Sequence, residues 1–363
     1  MRNLFIVNTP YHLLVSVGMK VSKNLKHCDI LFMYNTMEPD FNLNEILDRL
    51  FENTIFYNIE ECIKVSKIGV VLNRFINIHK INKDVSLQNY YDEVFIFNDS
   101  IFETQYILSK IKYNKLIYIE DGSVVYIEKF RYFSGIRVFI ERKIYGFNYE
   151  AIANAYGIYS RINEKFVLWP NLVIEDFCKD NKIIKELKSD ILLNGINTLY
   201  SNFIEELKVL ITSKNNVLII LEHNYFFIRN RDVNKDEYIK IIENLINSMS
   251  GEFNIYIKYH PREDTFYLDK VIRKYNLNII EKNIPIEIFY TLKNIFIISI
   301  TSTALFTAAK LLDSGKIISI MNLLKMDNKD VGKKLKYMGI KIPNNIKDFL
   351  NIFIKNSGDD GYE

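Results

Sequence analysis

Four segments of this 363-residue chain carry residues whose types and spacing suit chemistry on an anion or a hydroxyl. In Ile119-Glu120-Asp121-Gly122-Ser123, two carboxylates end an apolar run and a glycine then permits a tight turn. Adjacent carboxylates in a crevice repel each other, which raises one pKa and makes a usable general base. The same pair also reads as an ordinary strand-to-turn junction, since Asp-Gly is a common turn pair. In Lys258-Tyr259-His260-Pro261-Arg262-Glu263, the histidine suits donation to a phosphate oxygen, or protonation of a leaving phosphate, near neutral pH. Pro261 restrains the backbone before it, and Arg262 offers a fork-shaped anion clamp. A surface His-Pro turn is the plain alternative. In Ile300-Thr301-Ser302-Thr303-Ala304-Leu305, three hydroxyls stand where an apolar run gives way to a helical pattern. A helix N-terminus binds anions, and Ser and Thr are also its favoured caps. In Pro285-Ile286-Glu287, the carboxylate reads as a dipole contact at a helix start or as an acceptor for the two hydroxyls of a ribose. His12, in Asn8-Thr9-Pro10-Tyr11-His12, follows the first apolar run and is a further candidate, with Thr9 and Tyr11 beside it.

The elements that must position these residues alternate between short apolar runs and longer amphipathic ones. Strands are expected at Leu4–Val7, Asp29–Met33, Thr54–Tyr57, Glu93–Phe97 and Leu116–Glu120, and again at Val217–Leu221, Asn254–Tyr259, Leu277–Ile280 and Ile295–Ser299. Helical patterns lie between them, as at Asn44–Phe51, Ser100–Ile111, Lys235–Met249, Thr265–Tyr275, Ile286–Leu292 and Leu305–Leu312. Continuous apolar strands separated by helices mark parallel sheets covered on both faces. The pattern restarts at Val217, after a charged stretch from Glu164 to Asn215 that reads as largely helical. The expectation is two doubly wound domains, 1–190 and 191–363, with ligands beyond the carboxyl ends of the strands.

Composition excludes several classes. With 47 basic and 44 acidic residues the net charge is +3, too balanced for a general nucleic-acid binder. A local basic patch for an anionic membrane remains compatible with that balance. Cys28, Cys62 and Cys178 are scattered and odd in number, which argues against a disulfide framework or zinc site and fits a reducing cytosol. There is no GxGxxG, no P-loop, no GxSxG, no HExxH and no Asp-x-Asp after a strand. No run of about 18 uninterrupted apolar residues predicts a membrane-spanning helix.

Taken in order, the Asn-Thr-Pro start, Glu120-Asp121-Gly122, His260-Pro261 and Ser302-Thr303 resemble the bacterial lipooligosaccharide and capsule sialyltransferases of glycosyltransferase family 52, which are akin to the polysialyltransferases. Glu287 follows His260 by 27 positions and Ser302 follows it by 42, a spacing similar to the ribose and phosphate contacts of such enzymes. The resemblance implies a GT-B fold, two Rossmann-like domains facing across a cleft. It implies a CMP-sialic acid donor, no cofactor and no metal, inversion at the anomeric carbon, and a terminal sugar such as galactose on a surface glycan as acceptor. His260 would meet the CMP phosphate, together with Pro261, Arg262, Thr301, Ser302 and Thr303, and Glu287 the ribose. Thr9, Tyr11, His12, Glu120, Gly122 and Ser123 would lie on the acceptor side. The base is Asp121 by analogy with related GT-B sialyltransferases, or Asp232 or Asp236 if it comes from the loop after the first C-terminal strand. The expected setting is cytoplasmic, compatible with peripheral attachment to the inner membrane face and with a homodimer.

Overall fold

The computed structural model describes residues 1–34, 43–59, 67–127, 132–133, 135–154, 156–210, 216–230, 232–261, 263, 265–292, 294–326 and 328–357. Within the first unit, Met1–Leu199, the apolar runs become strands β1 (Arg2–Val7), β2 (His27–Tyr34), β3 (Asn53–Asn58), β4 (Tyr90–Ile96) and β5 (Lys112–Ile119). A two-stranded antiparallel pair, β6 (Tyr132–Phe133) and β7 (Ala151–Ile152), stands apart from them. Strands β8 (Glu164–Val167) and β9 (Ile183–Glu186) complete a seven-stranded parallel sheet of order β3-β2-β1-β4-β5-β8-β9. Leu4, Phe5, Ile6 and Val7 of the central strand are fully buried, as expected of a parallel strand covered on both faces.

The second unit, Tyr200–Glu363, repeats the plan with β10 (Asn216–Ile220), β11 (Asn254–Lys258), β12 (Asn278–Ile280), β13 (Ile295–Ser299) and β14 (Ile317–Ser319). Its order is β12-β11-β10-β13-β14, again all parallel. Both units are therefore doubly wound and Rossmann-like. Strand order reverses at β1 in one and at β10 in the other.

The stretch from Glu164 to Asn215 is largely helical, through Ser189–Leu210, and it also contributes β8 and β9 to the first sheet, which the sequence pattern did not foretell. Strand β8 carries Glu164 and Lys165. In β8 those charges are buried with partners: Glu164 binds Lys115 and Lys185, and Lys165 reaches Asp180 at 2.8 Å and the Phe177 carbonyl at 2.9 Å. Ile286–Leu292 is a 3-10 turn over Ile286–Thr291, not an α-helix.

The long helix Ser189–Leu210 leaves helical geometry at Tyr200, where the two units divide. Its first part packs on the helix Pro10–Ser22 through two glycines. A Cβ on Gly18 would lie 1.9 Å from the Ile191 carbonyl oxygen, and one on Gly195 would lie 2.1 Å from that of Leu14. Only hydrogen at both positions permits this backbone approach. The contact fixes the helix that carries His12.

Candidate functional site

In the first unit, three neighbouring strands, β1, β4 and β5, bring His12, Asn98 and Asp121 together at their carboxyl ends. Thr9 caps the helix Pro10–Ser22, its side chain accepting from the His12 N–H at 3.2 Å, with Pro10 at the first helical position. This puts the imidazole in the first turn, fully buried and stacked on Phe97 at 4.3 Å. The Asn8 N–H donates to His12 Nδ1 at 3.2 Å, so the ring proton sits on Nε2. Nε2 then donates to Asp121 Oδ1 at 2.5 Å.

The other carboxylate oxygen of Asp121 accepts from Asn98 Nδ2 at 3.0 Å. Asn98 is itself oriented, because its Oδ1 accepts from the Ser100 N–H at 3.0 Å and hydroxyl at 2.7 Å. Next to it, buried Asp99 accepts from the N–H groups of Gly157, Ile158 and Tyr159, which fixes the loop after β4. Burial pushes the Asp99 carboxyl up to about 6. Gly122 takes φ +144°, which favours glycine, and turns the chain away just after Asp121.

Glu120 and Asp121 have separate partners. Glu120 is buried, accepting from the Tyr126 hydroxyl and from the Leu168 N–H at 2.9 Å. Asp121 keeps about a quarter of its side chain exposed, at 27%. Glu120 thus ties the turn to β8, while Asp121 is the member of the pair that solvent or a substrate reaches. Ser123 is half-buried, its carbonyl accepting from the Tyr126 N–H at 3.0 Å. Tyr11 is half-buried, with its ring 6.2 Å from that of His12. A cavity of about 470 Å³ also lies in this unit, lined by Ser100, Arg74, Glu141, Tyr149, Phe133 and Ile152 among others. Ser100 links its wall to the Asn98–Asp121 pair.

The second unit gathers the other candidates at the carboxyl ends of β10, β11 and β13. Glu222 follows β10, where strand order reverses. Its Oε1 lies 3.4 Å from both the Ser299 hydroxyl and the Thr301 N–H, and burial pushes its carboxyl up to about 7. His223 caps the short helix Asn224–Arg229 through Nδ1, and its ring lies 5.2 Å from that of His260. His260 is exposed, and its carbonyl accepts from the Glu263 N–H at 2.9 Å. Buried Glu263 accepts from the Asn224 N–H at 2.7 Å and from the Thr265 N–H at 3.0 Å, binding the loop after β11 to the loop after β10. Pro261 is half-buried in that loop; Arg262 lies outside the described residues.

Ser302 caps the helix Thr303–Leu311, accepting from the Ala304 N–H at 3.3 Å while its own O–H remains a donor. Thr301 and Thr303 flank it, both half-buried. Glu287 is buried early in its 3-10 turn, and burial pushes its carboxyl up to about 7 against the opposing pull of Lys258. Burial in turn lowers the Lys258 ammonium to about 8. Asp232 and Asp236 are exposed. Asp236 sits in the first turn of the helix Lys235–Met249, capped by Asn234, and no hydrogen bond among the described residues joins either aspartate to His260 or Ser302.

Three contributors escaped the sequence reading. Asn98 had a signal, as a strand-end Asn followed by Asp-Ser. Glu222 and His223 directly follow the predicted strand Val217–Leu221, yet carry no local motif.

The chain resembles an α/β-galactoside α-2,3-sialyltransferase from the luminous marine bacterium Photobacterium phosphoreum, with 13% identity, a TM-score of 0.51, and 94% of this chain and 97% of that one covered. It resembles a UDP-GlcNAc 2-epimerase from Neisseria meningitidis, with 13% identity, a TM-score of 0.53, and 99% and 92% covered. It also resembles a UDP-N-acetylglucosamine 2-epimerase homologue from Listeria monocytogenes, with 10% identity, a TM-score of 0.55, and 98% and 89% covered. At these identities the likeness shows the fold, which is GT-B. No curated protein sequence matches the chain. The sequence signature of glycosyltransferase family 52 matches residues 30–323, most of the length, and the chain belongs to that family.

Proposed function

We propose that this glycosyltransferase moves sialic acid from CMP-sialic acid to a terminal sugar, galactose in the simplest case, of a bacterial surface glycan. The reaction inverts the anomeric carbon and uses no metal. The observation that carries the reading is the Asp121 carboxylate, clamped by His12 and Asn98 and still reachable from solvent. A base held in one orientation suits removal of a proton from an acceptor hydroxyl. The hydroxyl oxygen bonds to the anomeric carbon, the bond from that carbon to the CMP phosphate breaks, and CMP leaves. His260 donates to the leaving phosphate oxygen. Ser302 and Thr303, at a helix N-terminus, supply further donors, and Glu287 accepts from the ribose. The cavity beside Ser100 mixes aromatic and polar walls, as a sugar acceptor requires.

The donor assignment rests on the family and on the motif order, supported by the likeness to a sialyltransferase. The likeness to epimerases of a UDP-sugar favours a second reading, a GT-B transferase with a UDP- or GDP-sugar donor. A thermal-shift panel of CMP, CMP-sialic acid, UDP and GDP at millimolar concentration separates the two. The expected result is protection by CMP and CMP-sialic acid, with CMP released on adding lactose and unaffected by a chelator. Protection by UDP or GDP alone would transfer the donor assignment to the second reading. CMP binding with no turnover on any acceptor would leave a non-catalytic binding protein. The cytoplasmic setting and the pairing of two chains belong to the same proposal.

A further inference from the structure

One helix of the first unit is apolar on the outside. In Ile136–Tyr145, Val138, Glu141 and Tyr145 face inward and are buried. The opposite arc holds Ile136, Phe139, Ile140 and Ile144, exposed by 79%, 59%, 49% and 46%. At about 100° per residue these four span about 140° of the helix, with Lys143 among them and its ammonium 5.7 Å from the Phe139 ring. The helix Lys67–Asp84 packs alongside: Arg74 is enclosed by Phe102, Tyr145 and Tyr149 and lies 3.7 Å from Glu141, and the Phe75 ring lies 5.8 Å from that of Tyr145. Leu72 and Phe75 of that helix are exposed as well. Isolated exposed apolar residues need no explanation, but a continuous stripe does.

Charge indicates what covers it. The two helices carry seven basic and two acidic residues, a net +5, whereas the whole chain is +3, so the remainder is net −2. Arg74 pairs with Glu141, while Lys83 and Lys143 are exposed. A second copy docking on the same face about a twofold axis would set like charge against like. An anionic bilayer surface accommodates both features, since the apolar arc enters the headgroup boundary and the basic residues meet lipid phosphates. No helix among the described residues is long and apolar enough to cross a membrane, so contact through this face would be peripheral. We infer that the outer face of Ile136–Tyr145, with the adjoining face of Lys67–Asp84, docks the enzyme on an anionic lipid surface. The same helix backs the cavity beside Ser100 through Val138 and Glu141, so the docked face lies behind that wall.

The test is co-sedimentation of the full chain with vesicles of phosphatidylcholine alone or mixed with phosphatidylglycerol, at low and high salt. Binding is expected to the mixed vesicles only and to weaken with salt. Phe139→Glu/Ile140→Glu changes two exposed side chains and should reduce partitioning by about tenfold or more, with the thermal midpoint and the CMP-induced shift unchanged. Lys143→Glu should reduce binding mainly at low salt. Wild type remaining in the supernatant with mixed vesicles overturns the inference. So does equal partitioning of the double variant, or a dimer in sedimentation velocity that the variant dissociates without any vesicle binding. None of these outcomes depends on the donor, so failure here is distinguishable from failure of the sialyltransferase reading.

Discussion

The sheets of the two units reverse their strand order at β1 and at β10, and each reversal collects an acid and a histidine. The acids are treated oppositely. Asp121 accepts from a histidine and an asparagine at close range and keeps a face open. Glu222 meets the Ser299 hydroxyl and the Thr301 N–H at the limit of hydrogen bonding, and burial pushes it up to about 7. The histidines are reversed too: His12 is sealed behind the carboxylate it orients, whereas His260 is exposed beside His223. One topology thus clamps an open carboxylate in one unit. In the other it sets a carboxylate that burial keeps protonated more readily beside the start of the helix Thr303–Leu311.

The comparison breaks most directly at the carboxylate. Asp121→Asn keeps the shape and should reduce turnover by about a hundredfold to ten-thousandfold, the range for a general base, with CMP affinity nearly intact. Steady-state kinetics beside CMP titration would check this. If Asp232→Asn or Asp236→Asn abolishes transfer while Asp121→Asn does not, the base lies in the second unit.

The next largest effect concerns orientation. His12→Ala removes the donor to Oδ1 and should lower kcat by tenfold to hundredfold, on the order expected for a misplaced catalytic group, with little change in CMP affinity. His12→Gln restores an N–H donor and should recover part of that loss, which a purely structural role would not predict. On the donor side, His260→Ala should cost about tenfold or more in turnover, on the order of general-acid effects. Unchanged turnover would remove His260 from the reaction.

The sequence carried nine of the fourteen strands found among the described residues, since runs such as Leu4-Phe5-Ile6-Val7 need no tertiary information to be recognised. It did not carry the partnership of His12 with Asp121, which are 109 positions apart. That pairing depends on β1, β4 and β5 being neighbours, and strand order is not written in any local motif. It also hid β8, because a strand reading Glu-Lys-Phe-Val looks solvated until Lys115, Lys185 and Asp180 are found as partners. Ser302 was legible as a hydroxyl at a helix start and does cap one, whereas Thr9, read only as a candidate beside His12, caps a helix that begins earlier than its pattern suggested. Glu222 was invisible for the opposite reason. A lone glutamate at a strand end reads as a surface charge, and only the packed strand ends around it half-bury it.

That burial gives the smallest but most specific prediction. The ordinary glutamate value is 4.5, and in the folded chain Glu222 sits at about 7. Between those two values the unfolded chain has released the proton and the folded one retains it. Stability from this group is therefore fully present below about 4.5 and is lost as pH rises through about 7, by at most about 3 kcal/mol. Glu287, also at about 7, and Asp99, at about 6, contribute in the same direction. Glu222→Gln cannot titrate, so its thermal midpoint should fall less than that of wild type between pH 5 and about pH 7.5. Function should follow the same sign. An ionised Glu222 beside the Thr301 N–H would repel a phosphate held by Ser302 and Thr303, so CMP affinity should weaken relative to Glu222→Gln as pH passes 7. A constant affinity ratio between wild type and variant from pH 6 to pH 8 would show that Glu222 does not sense the phosphate, and the contrast between the two strand ends would then be one of packing alone.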